Sequence, residues 1–235
     1  MNVITLASRK GGAGKSTLTA QLAAQAHALG KRVLIIDADP QGSLSLWHSR
    51  RADGQLRLTT PERGLDRALA FAMIEGTDYV FIDTAPTTWV VVQEAIRVAT
   101  MVIIPARPGF FDLAAVTETV KAARERDKPY AVVINAAPVK REVKESGLVT
   151  QSRAYFEERQ IPVWAGQISQ RAGYQSTLAA GASAAEIGPS TSAGAEIAQL
   201  WGAIERSIEA INNAQFEPGT AANGDAPAEP GRQVA

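Results

Sequence analysis

The sequence predicts an α/β fold, a doubly wound and mostly parallel sheet flanked by helices. Three observations predict it. Short apolar runs rich in Val and Ile alternate with stretches of helical periodicity along most of the chain. A glycine-rich segment with two lysines separates the first such run from the first helical stretch. Two further runs end in aspartate, which suits a sheet whose strand ends open on a ligand crevice.

The elements follow in chain order. Val3–Ala7 reads as a buried strand, and Ser16–Leu29 as a helix stopped by Gly30. Arg32–Ile36, Tyr79–Ile82, Met101–Ile104 and Tyr130–Ile134 read as further buried parallel strands, with Gln55–Leu58 and Ile161–Trp164 as shorter ones. Helical stretches fall at Gly64–Ile74, Thr88–Arg97, Leu113–Arg126 and Leu148–Arg159. Asp112 stands where it would cap the third of these. A short helix closes at Ala179-Ala180-Gly181. The last helix, Ser192–Asn212, carries Ile197, Leu200, Trp201, Ile204, Ile208 and Ile211 on one stripe. Its polar face holds Glu196, Glu205 and Glu209 against Arg206, which favours packing on the core over a membrane surface. Gln215–Ala235 is rich in Pro, Gly, Ala and Asn and is expected to be disordered. The division is a domain over 1–212 and a tail over 213–235.

Bulk properties exclude several classes. The 235 residues with 46% hydrophobic content suit one domain plus a tail. Charges balance at 24 basic and 24 acidic, so any nucleic-acid contact needs a local patch or one completed in a dimer. With no cysteine, disulfides, thiol catalysis and iron–sulfur clusters are out. No apolar run reaches the length of a membrane span, and the first residues do not resemble a signal peptide.

The chemistry concentrates in Ser8-Arg9-Lys10-Gly11-Gly12-Ala13-Gly14-Lys15-Ser16-Thr17. Between a strand and a helix, this is a phosphate-binding loop. Glycines allow successive N–H groups to turn inward, and the helix N-terminus adds positive potential. Lys15 is placed to reach β- and γ-phosphates, and the Ser16 hydroxyl to ligate Mg²⁺. Asp37-Ala38-Asp39-Pro40-Gln41-Gly42 puts two carboxylates at a strand end, a pattern that also makes a good turn. Tyr79–Asp83 is an apolar strand ending in an acid, the Walker B form, so Asp83 should hold Mg²⁺ through water. Asn135 ends another strand at the same edge, where an amide offers both donor and acceptor.

Lys10-Gly11-Gly12-Ala13-Gly14-Lys15-Ser16 resembles the signature Lys-Gly-Gly-x-Gly-Lys-(Ser/Thr) of the ParA/MinD family of deviant Walker ATPases. Asp37–Gly42 is similar to that family's Asp-x-Asp-Pro-Gln motif, and the likeness extends over about residues 1 to 212. Ala85 stands where the family usually has Pro. The resemblance implies a P-loop NTPase that uses ATP and Mg²⁺. It implies that Gly11, Gly12, Ala13, Gly14, Lys15, Ser16 and Thr17 cradle the phosphates. Lys10 then acts across a nucleotide-sandwich homodimer as an arginine finger does. Asp39 activates water, Asp37 supports the magnesium shell, and Asn135 contacts adenine. Ile168-Ser169-Gln170-Arg171 matches a region where family members bind DNA, which makes Arg171 the candidate for non-specific DNA contact.

The same resemblance implies weak ATP hydrolysis stimulated by a centromere-binding or adaptor protein. It implies a cytoplasmic, nucleoid-associated protein with no membrane partner, acting in plasmid or chromosome partition. The chain begins at its first strand, so it is expected to be the small ParA type. The alternatives are a DNA-binding accessory ATPase of conjugative transfer, a positioning ATPase for a chemoreceptor cluster or carboxysome, a MinD-like membrane-cycling ATPase, and a metabolic enzyme of the same superfamily.

Overall fold

The computed structural model describes residues 1–52, 54–86, 88–140, 142 and 144–216. A six-stranded parallel sheet forms the centre. Its strands are β1 (Asn2–Leu6), β2 (Val33–Ala38), β3 (Arg57–Thr59), β4 (Tyr79–Thr84), β5 (Met101–Ala106) and β6 (Tyr130–Ile134), in the order β3-β2-β4-β1-β5-β6. β2, β4 and β5 are buried along their whole length. Helices cover both faces of a parallel sheet, so its strands are near-continuous apolar runs.

The helices are α1 (Lys15–Ala28), α2 (Ser43–His48), α3 (Leu65–Ile74), α4 (Trp89–Val98), α5 (Phe110–Arg124), α6 (Gly147–Glu158), α7 (Ala172–Ala179), α8 (Ala184–Ile187) and α9 (Ser192–Phe216). One face of the sheet carries α1, with α2, α7, α8 and α9 packed around it. α1 is buried on nearly every side, and its alanines at 20, 23, 24 and 26 let the neighbouring helices approach closely. The stripe of α9 is spent on this core. Trp201 meets Tyr79 edge-on at 5.0 Å, and Ile197, Leu200, Ile204 and Ile208 are buried with it. The other face is closed by α3, α4, α5 and α6 through Ala72, Val92, Ile96, Val116 and Phe156.

Several boundaries differ from expectation. The short strand expected at Gln55–Leu58 forms two residues later as β3, where the half-buried edge gives little apolar signal. Ile161–Trp164 forms no strand, only a single parallel bridge from Val163 to Val132. Gly109 caps α5, so Asp112 sits inside its first turn instead of capping it. α9 continues past Asn212 to Phe216. The expected tail lies, from residue 217 onward, outside the described residues. Among the described residues no helix is long and apolar enough to cross a membrane.

Strand register fixes the site. Leu6 of β1 and Asp37 of β2 both pair with Asp83 of β4. The loop after β1 and the acids of β2 and β4 therefore meet at one edge of the sheet.

Candidate active site

The loop after β1 turns through Gly12 and Gly14, whose φ angles of 73° and 97° lie in the left-handed region. Gly14 is the N-cap of α1 and supplies no side-chain cap. The first N–H groups of α1 are thus left for an anion. Behind the loop, the Asn135 Nδ2 donates to the Ala13 carbonyl at 2.7 Å. Lys15, the first residue of α1, is only 6% exposed. Burial pulls its pKa down, against the pull of the Asp83 and Asp39 charges.

Asp83 is fully buried, and neither carboxylate oxygen has a partner among the described residues. Burial raises its pKa to about 7, opposed by the nearby Ser16 hydroxyl and the Lys15 ammonium. An orphaned buried carboxylate beside a hydroxyl is the donor pair a hard cation uses. Among the described residues no three His, Asp or Glu side chains cluster to hold a metal. Mg²⁺ would complete its shell with phosphate and water, as it commonly does. The residues present fit that ion.

Asp37 is also buried, but it has a structural task. Its Oδ2 accepts from the Ser45 N–H at 2.9 Å and the Ser45 hydroxyl at 2.8 Å, holding the start of α2. Asp39 follows in a turn, its Oδ1 accepting from the Gln41 N–H at 3.0 Å. A cavity of about 540 Å³ opens over the loop, a size suited to a small ligand. Gly11, Gly12, Gly14, Lys15, Ser16, Thr17 and Asp39 line it. Its far wall is formed by Trp47 and Arg50 of the α2 end and by Leu178 of α7.

The expected site residues thus divide. The loop residues, Lys15, Ser16, Thr17 and Asp39 share the cavity, with Ala13 buried behind it. Asp37, Asp83 and Asn135 are buried and do not line it. Lys10 is half-buried, does not line the cavity, and its ammonium has no partner among the described residues. Arg171 lies elsewhere, between α7 and α9, where its Nη2 and Nε donate to Glu196 at 2.9 and 3.2 Å. Two contributors escaped the sequence reading. Arg107 lines the cavity beside Gly12. It follows the end of β5 at the same edge, a position that could have flagged it. Arg9, at the loop position where Gly is usual, lies over the Trp89 ring at 5.0 Å and pairs with Glu118 of α5.

The signature of the CobQ/CobB/MinD/ParA nucleotide binding domain matches residues 4–183. The chain belongs to this family. It is a ParA/MinD-type P-loop ATPase. The maintenance of carboxysome distribution protein A of Halothiobacillus neapolitanus is 27% identical over 207 residues, covering 84% of this chain and 93% of that protein. The chromosome-partitioning ATPase Soj of Thermus thermophilus is 31% identical over 152 residues, covering 52% of this chain and 61% of that protein. The fold matches the septum site-determining protein MinD of Pyrococcus horikoshii, complexed with Mg-ADP, at a TM-score of 0.68. That match has 14% identity and covers 89% of this chain and 98% of that one. The cavity over the phosphate loop and the orphaned Asp83 both lie within the matched residues.

Proposed function

We propose that this ATPase is a DNA-associated positioning protein that works as an ATP-dependent homodimer. The observation that carries the reading is Lys10. It sits in the phosphate loop, yet it is absent from the lining of its own cavity and lacks a partner among the described residues. Such a lysine is free to reach the triphosphate of a facing subunit. There its charge would offset the charge that develops on the transferred group.

Within each subunit, Lys15 and the free N–H groups of α1 bind the β- and γ-phosphates. Ser16 and Asp83 would hold Mg²⁺, with Asp37 behind them; the ion supplies charge neutralisation at the phosphates. Asp39, at the cavity wall, orients the attacking water. The γ-phosphate, held from both sides, stabilises the dimer, and hydrolysis releases it. Hydrolysis alone is weak, and a centromere-binding or adaptor protein accelerates it.

The dimer holds DNA without sequence preference, which makes the protein cytoplasmic and nucleoid-associated. The α9 stripe is buried in the core, so it does not offer an apolar face to a membrane surface. Arg171 has two of its five N–H donors engaged by Glu196, which leaves those of Nη1 and one of Nη2 for DNA. The cargo is a plasmid or chromosome locus. A protein-bound body is the second reading, favoured by the Halothiobacillus relative, whose match spans 93% of its length. Retention on random-sequence DNA tests the proposal. It should require ATP and Mg²⁺, fade as ATP is consumed, and vanish with Lys10→Ala. Equal retention with ADP, or none in any nucleotide state, would remove the DNA reading.

A further inference from the structure

We infer that Asn135 is a positioning residue for the phosphate loop, acting as a strut that aims one loop N–H into the nucleotide cavity. This rests on the nucleotide reading of the cavity.

The anchor of the strut is rigid. Asn135 follows β6 directly, and its backbone N–H donates to the Ala106 carbonyl at 2.8 Å, continuing the β5–β6 ladder. The residue is 6% exposed and does not line the cavity over the loop. Its Nδ2 reaches across to the Ala13 carbonyl at 2.7 Å. The fit is tight on that side as well. A Cβ on Gly14 would come within 2.1 Å of Nδ2, so the amide packs directly against the Ala13–Gly14 peptide.

That peptide is trans, as are all the described ones. In a trans peptide the C=O and the N–H point in opposite directions. Fixing the Ala13 carbonyl toward β6 therefore fixes the Gly14 N–H away from β6, toward the cavity that Gly14 lines. The peptide otherwise has freedom to rotate, because Gly14 sits at φ 97° with no Cβ to restrict it. The amide takes up that freedom before ligand arrives, so the ligand does not bear the cost of ordering the donor. A base-reading amide would act only on nucleotides with the right base. A strut acts on anything that carries the phosphates.

The test compares ATP, GTP and inorganic tripolyphosphate as ligands, by calorimetry, for the full chain and for Asn135→Asp. The exchange is nearly isosteric, but a carboxylate cannot donate to the Ala13 carbonyl and would repel it. All three ligands should weaken by a common factor of about tenfold, the loss of one buried hydrogen bond. The melting temperature measured without ligand separates this from unfolding: the loss must exceed what the folded fraction explains. Asn135→Ser, smaller and uncharged, replaces the Asp variant if that fails to fold, and should show the same common loss. Unchanged tripolyphosphate affinity with weakened ATP would overturn the strut in favour of a base contact. Unchanged affinity for all three would overturn it outright. Failure of the unsubstituted protein to bind either nucleotide or tripolyphosphate would instead overturn the nucleotide reading of the cavity.

Discussion

Replacing Asp83 with Asn should stabilise the free protein while destroying its magnesium-dependent activity. The carboxylate is fully buried with both oxygens orphaned, and burial moves its pKa from 3.8 to about 7. In the unfolded chain it ionises near the ordinary value. Between these two values the folded protein holds a proton that the unfolded chain has released, so stability falls as pH rises, then levels off above about 7. The full displacement corresponds to about 4 kcal/mol. Part is offset, because Lys15, itself pulled down by burial, loses the attraction of Asp83. A net gain of about 2 kcal/mol at pH 8 is expected, or a melting temperature higher by about 4–8 °C for a chain of this size. Thermal unfolding in chelator at pH 8 and pH 5 measures it. The advantage should shrink at pH 5, where the carboxylate of the unsubstituted protein is mostly protonated in the folded state. An Asn variant that melts lower than the unsubstituted protein at pH 8, or whose gain is the same at both pH values, would refute the reasoning. So would retained magnesium-dependent hydrolysis.

Lys10→Ala should abolish hydrolysis and leave ATP affinity within about threefold, since Lys10 does not line its own cavity; parallel turnover and calorimetry decide it. Gly14→Ala should lose nucleotide binding altogether, because a Cβ there meets Asn135 at 2.1 Å in a left-handed backbone; a bound variant would show that the loop can shift. Arg171→Ala should weaken DNA retention, but also cost about 1–3 kcal/mol of stability by leaving Glu196 without its cation; denaturant titration beside the retention assay separates the two, and unchanged retention removes Arg171 from the DNA surface. At the sheet's other end, Arg32 holds Asp78 down to about 2 through paired hydrogen bonds. The stability it supplies is present above about pH 4 and is lost as pH falls toward 2, so Asp78→Asn should flatten that part of an acid unfolding curve.

Much of this was legible in the sequence because burial on both faces of a parallel sheet writes itself as β-branched runs. β1, β2, β4, β5 and β6 were found that way, each within a few residues. β3 was shifted because its three residues are only half-buried at the sheet edge. α2 was missed because six residues following a turn carry too little periodicity, although Leu44 and Trp47 are buried. Ile161–Trp164 has a strand's composition but only one bridging residue, since the sheet has already ended at β6. In the site, the phosphate loop and the acids were legible because each lies at a strand end in a recognisable local pattern. The hydrogen bond of Asn135 to Ala13, the pairing of Arg9 with Glu118 and the position of Arg107 beside Gly12 were not. Each depends on residues about a hundred positions apart in the chain, which local spacing does not relate.

Sedimentation velocity of the Asp39→Ala protein, which should bind ATP and Mg²⁺ without consuming it, tests the homodimer most directly. A shift from monomer to dimer is expected on adding ATP, absent with ADP and absent when Lys10→Ala is added to the same chain. A species that stays monomeric at saturating ATP, or a dimer indifferent to Lys10, would contradict it.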